Sequence, residues 1–161
     1  MQVLILYESF FGNTQKIAET IGAAIEGAEE VNIREISTID PTSFDHPDLL
    51  IIGSPTRGFR PSPATTDFLA NLPKNSLKDQ MVAAFDTRIA LSYIKSGVLR
   101  FFVKAGGYAA KIIERKMKQK GGIPILPCEG FCVTENEGPL LDGEIERAKE
   151  WASNIKTWHS A

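Results

Sequence analysis

Six residues, Ser9-Phe10-Phe11-Gly12-Asn13-Thr14, follow the apolar run Val3-Leu4-Ile5-Leu6 after Tyr7 and Glu8. Ser9 and Thr14 supply hydroxyls, Asn13 supplies an amide, and Gly12 lets backbone N–H groups come close to a ligand. A helix starting at Thr14 adds free N–H groups and a dipole that favour an anion. The six residues include no Lys or Arg, which suits a phosphate monoester held by neutral donors. The triphosphate signature G-x-x-x-x-G-K-[ST] and the dinucleotide signature G-x-G-x-x-G are both missing. The same residues also describe an ordinary strand-to-helix turn with Thr14 as N-cap.

Two other segments hold polar residues directly after apolar runs: Ser54-Pro55-Thr56-Arg57-Gly58-Phe59 and Asp86-Thr87-Arg88. Elsewhere the chemistry-bearing residues are sparse. If Cys128 and Cys132 lie on one extended segment they are ~13 Å apart. A disulfide needs Cα atoms within ~7 Å, so they are expected as small core or strand-end residues. His46 and His159 lack partners at ligand spacing, which speaks against a metal site. Asp86 reads as a strand-end or turn residue, and no nucleophile–base constellation is visible.

Apolar patterning supplies the elements that must position these loops. Val3–Tyr7, Val31–Ile36, Leu49–Gly53, Met81–Phe85 and Ile123–Leu126 read as strands, the last resuming through Phe131–Val133. Thr14–Gly27, with Ile17, Ala18, Ile21, Ala24 and Ile25 at helical spacing, reads as a helix. Ala64–Asn71, led by Pro63, is a second helix. Val98, Phe101, Phe102 and Ala105 make one amphipathic stretch. Gly106-Gly107 interrupts it, and Tyr108, Ala109, Ile112 and Ile113 continue. Glu144–Trp158 is the last helix. Strands alternating with helices imply a parallel sheet, right-handed crossovers and helices on both faces. In such a sheet ligands bind beyond the carboxyl ends of the strands, where the polar loops lie.

At 161 residues, 43% hydrophobic and 24% charged, the chain fits one domain over 1–161. A formal charge of −2 gives no nucleic-acid footprint. No apolar run reaches the ~18–20 residues of a membrane span. With no leader-like segment before the first strand, a cytoplasmic protein is expected. Charge is unevenly placed: Lys95–Lys120 holds eight Lys/Arg against Glu114 alone, a balance of +7. Either a solvated helix face or a docking surface follows from that.

The pattern Leu6-Tyr7-x-Ser9-x-x-Gly12-x-Thr14-x-x-x-Ala18-x-x-Ile21 resembles the phosphate loop of flavodoxins, which are themselves an instance of the strand-end rule. The family's usual loop is Thr-x-Thr-Gly-Asn-Thr, so Phe11 stands where a second hydroxyl would be. Gly53-Ser54-Pro55-Thr56-Arg57-Gly58 resembles the family's Gly-Ser-Pro-Thr-Tyr-Gly loop against the flavin ring, with Arg57 in place of tyrosine. Phe85-Asp86-Thr87-Arg88 resembles the start of the other flanking loop, without its stacking tyrosine. The stretches Pro127–Val133 and Glu137–Ala152 are similar to the family as well.

The resemblance implies an α/β, flavodoxin-like three-layer sandwich with a five-stranded parallel sheet in the order 2-1-3-4-5. It implies FMN as cofactor, bound by Ser9, Phe10, Phe11, Gly12, Asn13, Thr14, Ser54, Pro55, Thr56, Arg57, Gly58, Phe59, Asp86, Thr87 and Arg88. It implies an electron carrier working with redox partner proteins, which would dock on the basic Lys95–Lys120 segment. The alternatives are an NAD(P)H-dependent quinone reductase of this fold and a flavodoxin-fold interaction domain without flavin. Arg57, Arg60 and Arg88, lying in the loops that flank the ring, would raise the flavin's reduction potential.

Overall fold

The computed structural model describes residues 1–98, 100–101 and 108–155. Its centre is β1 (Gln2–Tyr7), flanked by β2 (Glu30–Glu35) on one side and β3 (Leu49–Pro55) on the other. β4 (Met81–Ile89) pairs with β3, and β5 (Ile123–Pro124) and β6 (Glu129–Val133) both pair with β4. All these pairings are parallel, and the order is β2-β1-β3-β4-β5 with β6 in line beyond β5. The fifth position is thus one interrupted strand, as the pattern predicts. Pro124 and Pro127 explain the break, because neither has an N–H to give the ladder.

Helices cover both faces. α1 (Asn13–Ala24) and α4 (Glu144–Ser153) lie on one, where Ile17, Ala18, Ile21, Ala148, Trp151 and Ala152 pack with Val3, Ile5, Leu49, Ile51 and Phe85. α2 (Pro63–Asn71) and α3 (Ala109–Gln119) lie on the other, where Phe68, Leu69, Ile113 and Met117 meet Leu6, Leu50, Ile52, Val82 and Ala84. A strand covered on both sides has no polar face to show. Hence Leu49, Leu50, Ile51 and Ile52 are all fully buried.

Three expectations change. β4 runs four residues beyond Phe85, through Asp86, Thr87, Arg88 and Ile89. α4 ends at Ser153, and Trp158 and the Gly106-Gly107 break lie outside the described residues. Val98 and Phe101, expected on an amphipathic face, stand exposed. Between β2 and β3 the chain makes only a 3-10 turn, Ile36–Thr38, before a loop containing Pro41 and Pro47.

Candidate functional site

The chain runs from β1 to β2 on one side and later returns to β3 on the other. The switch point is therefore at the carboxyl end of β1. Glu8 N–H donates to the Gly53 carbonyl (3.2 Å), which prolongs the β1–β3 ladder by one residue. The chain then turns, and Gly12 N–H donates to Ser9 Oγ (3.0 Å). Gly12 caps α1 at φ 89°, ψ −8°, a left-handed conformation that costs a side chain dearly. The N-cap is thus Gly12, not Thr14. Thr14 lies inside the first turn, 1% exposed, with its Oγ1 2.8 Å from Thr87 Oγ1 of β4. Lys16 N–H donates to the Gly12 carbonyl (3.0 Å). Among the described residues no acceptor takes the N–H groups of Asn13, Thr14 and Gln15, which a helix start leaves unpaired. Asn13 Nδ2 donates to the Glu137 carbonyl (3.1 Å), tying this loop to the one after β6.

The second loop is braced from behind. Ser54, fully buried, accepts Ser62 N–H at Oγ (2.8 Å), and Ser62 caps α2 by accepting Thr65 N–H (3.4 Å). Arg57 and Arg60 exchange both backbone hydrogen bonds (2.9 and 3.0 Å) around Gly58 and Phe59, at φ 52° and 66°. A primed turn of this kind wants glycine or asparagine at both central positions. Phe59 occupies one of them, an unfavourable backbone for a bulky residue.

β4 contributes on both faces. Thr87 points with Phe85 to the α1 side, and Asp86 and Arg88 point to the α3 side. Arg88 donates twice to Asp86, Nε to Oδ1 at 2.6 Å and Nη2 to Oδ2 at 2.8 Å, and Ala110 N–H at the start of α3 donates to Oδ2 (2.8 Å). Burial pushes the Asp86 carboxyl above the usual range, against the pull of Arg88 and the Ala110 N–H. The Arg88 guanidinium lies 3.6 Å from the centre of the Tyr108 ring and across Gly130 of β6. A Cβ on Gly130 would come 2.0 Å from Arg88 Cζ, so only glycine admits this packing.

These loops enclose two adjoining hollows. The first is lined by Ser9, Phe10, Phe11, Asn13 and Thr14 together with Pro55, Thr87 and Val133. The second, a cavity of ≈ 390 Å³, is lined by Gly58, Phe59, Ile94 and Tyr108. Thr56, Arg57, Arg88, Ile89 and Asn136 line both, so the two adjoin. Ligand pockets run from roughly 300 to 1,000 Å³. A larger hollow of ≈ 540 Å³ lies along Gln2, Glu30, Asn32 and the loop before β3. It runs along β1 and β2 to Thr38 and Phe44, and none of its lining residues belongs to the three polar loops.

Of the residues expected from the sequence, Ser9, Phe10, Phe11, Asn13, Thr14, Pro55, Thr56, Arg57, Gly58, Phe59, Thr87 and Arg88 line the hollows. Gly12, Ser54 and Asp86 line neither: Gly12 shapes the turn, Ser54 braces α2 and Asp86 holds Arg88. Ile89, Ile94, Tyr108, Val133 and Asn136 line the hollows as well, outside the site residues named from the sequence. The charged Asp86 and Arg88 conceal that β4 reaches Ile89, and Tyr108 reads as one more apolar helical position. The first loop contains no cation, yet Arg57 brings one to it, with its Cζ 5.0 Å from the Phe10 ring centre and 5.5 Å from that of Phe11. Arg88, by contrast, is paired with Asp86.

Neither cysteine is bonded to the other. Burial and Glu114 push the Cys128 thiol up to about 11, and burial and Glu144 raise Cys132.

The family model described as Flavodoxin domain matches residues 4–119. No curated protein sequence matches the chain. Flavodoxin 2 from Bacillus cereus superposes with a TM-score of 0.77 at 21% identity, covering 98% of this chain and 99% of its own. A flavodoxin from the domain Archaea gives 0.73 at 19%, covering 100% of both chains. Rubredoxin oxygen:oxidoreductase from Desulfovibrio gigas gives 0.72 at 18%, covering 99% of this chain and 36% of its own.

Proposed function

Because the chain belongs to the Flavodoxin domain family, we propose that it is an FMN-binding electron-transfer protein. The observation that carries the reading is the conjunction at the switch point. Asn13 and Thr14, at the start of α1 where N–H groups are unpaired, line a hollow that adjoins the one lined by Phe59, Ile94 and Tyr108. The residues fit a phosphate at one end and a flat, largely apolar ring system at the other. Asn13, Thr14 and Gln15 N–H groups and the Ser9 hydroxyl would hold the phosphate. Thr56, Phe59, Ile89, Tyr108 and Asn136 would hold the ring and keep water from it. Bound FMN supplies the redox chemistry.

Thr14 and Thr87 share one hydroxyl–hydroxyl bond, in which one hydrogen is used and the other is left to donate. That leaves one hydroxyl donor at the junction of the two loops. The partner is a redox protein with an acidic face, met by Lys95, Arg100 and Lys111, since no acid occurs between Asp86 and Glu114.

The test is reconstitution. The purified chain is mixed with FMN, passed through gel filtration and examined for a retained flavin spectrum and for reoxidation of the reduced form by an external acceptor protein. Co-elution with stoichiometric flavin supports the reading, and a colourless protein fraction overturns it.

A further inference from the structure

We propose that Arg57 is the residue that makes this site selective for a phosphorylated flavin, by closing over the phosphate from the second loop. The inference rests on the FMN reading and adds a charge to a loop whose own sequence is uncharged.

Arg57 and Arg88 are the cations that line the hollow beside α1. Arg88 is committed to the buried Asp86 by two hydrogen bonds and packs flat on Tyr108. Among the described residues no acid or other acceptor takes the Arg57 guanidinium. Two exposed aromatic rings, Phe10 and Phe11, each 46% accessible, carry it instead. Cation–π contact positions a guanidinium without neutralising its charge, so all five N–H donors remain available to an anion. The backbone beneath is fixed, because Arg57 N–H donates to the Arg60 carbonyl and Arg60 N–H returns the bond.

The side-chain donors of the first loop are, by contrast, partly engaged. Ser9 Oγ accepts Gly12 N–H and keeps its own hydrogen, but the Thr14–Thr87 pair spends one of its two hydroxyl hydrogens and one hydrogen of Asn13 Nδ2 goes to Glu137. The neighbouring loop, whose Glu137 carbonyl holds Asn13, adds two exposed acids, Glu135 and Glu137, whose charge repels a phosphate dianion. A guanidinium offsets that repulsion, and its planar fork suits phosphate oxygens.

The experiment measures dissociation constants of FMN and riboflavin for wild type, Arg57→Gln, Arg57→Lys and Phe11→Leu at low and high salt. Thermal melting confirms that each variant folds, as expected where the changed side chains are exposed. Loss of a hydrogen-bonded charge predicts that Arg57→Gln weakens FMN about 10- to 100-fold, with riboflavin unchanged. The salt dependence of FMN binding flattens in the same variant, Arg57→Lys retains part of the affinity, and Phe11→Leu gives a smaller loss for FMN alone. Equal loss for both flavins places Arg57 on the ring and overturns the proposal. So does an Arg57→Gln variant with wild-type FMN affinity and salt slope. A wild-type chain that binds neither flavin overturns the FMN reading itself, and this proposal with it.

Discussion

At the residue scale the Asp86–Arg88 pair is the most consequential feature. Asp86 is fully buried and leans on a guanidinium that is itself mostly covered. Removing one partner of a buried pair leaves an uncompensated charge, so Arg88→Gln should cost about 3–5 kcal/mol in urea denaturation. Asp86→Asn combined with Arg88→Gln should recover most of that loss. A single variant as stable as wild type would show that the pair has no structural role. Phe59 makes the opposite case. Its φ of 66° is strained, and strain at a pocket mouth is tolerated where the side chain has work there. Phe59→Asn suits the turn, and it should raise the melting temperature while weakening FMN binding. If both quantities fall, the strain argument fails. The thiols give a pH prediction. With Cys128 near 11, the thiolate at pH 8 is ~0.1% of the total, against roughly a quarter for a free thiol. Alkylation in the folded state should be about 100-fold slower than in urea. The sign for stability follows from the raised value. The contribution of Cys128 is fully present below the unfolded thiol's pKa and is lost as pH rises through 11. Alkaline loss of stability should therefore be smaller in Cys128→Ser.

At the scale of elements, β1, α1 and the alternation of strands and helices are legible because burial on two faces leaves continuous apolar runs and one-sided helices leave helical spacing. Val3–Leu6 and Ile17, Ala18, Ile21 are sufficient to place the first loop at the switch point. The end of β4 is not legible. Asp86 and Arg88 look like loop residues, yet they satisfy each other on one face while Thr87 and Ile89 serve the other. The cap of α1 is misread for a related reason: a hydroxyl is the commoner N-cap, but Thr14 is taken by Thr87 across the site. Arg57 over Phe10 and Phe11 carries no local signal at all, since loops more than forty residues apart meet only through β1–β3 pairing. Gly130 is where this assembly is most easily broken. Gly130→Ala drives a methyl into Arg88, so it should disturb the Arg88–Tyr108 stack and weaken flavin binding. Unchanged Tyr108 fluorescence and affinity would contradict the packing described.

At the scale of the whole molecule, the basic segment is resolved into two parts. α3 begins beside Asp86 and runs away from the site, so at ~1.5 Å per residue Lys118 is about 13 Å beyond Ala109. Lys120 is anchored to the Leu72 carbonyl. Lys111 is exposed near the site, whereas Arg115, Lys116 and Lys118 lie further along. Docking over the flavin therefore predicts that Lys111→Glu slows electron transfer to an acidic partner more than Lys118→Glu, with both effects fading at high salt. Equal effects would reduce the segment to solvated surface. The central claim, that FMN binds at the switch point with its phosphate on α1, is tested most directly by amide NMR titration of the apo chain with FMN and with riboflavin. The account predicts large shifts for Asn13, Thr14 and Gln15 with FMN and far smaller ones with riboflavin, while Thr56, Gly58 and Ile89 respond to both. Shifts centred instead on Gln2, Glu30 and Asn32, or identical shifts at α1 for the two flavins, would contradict it.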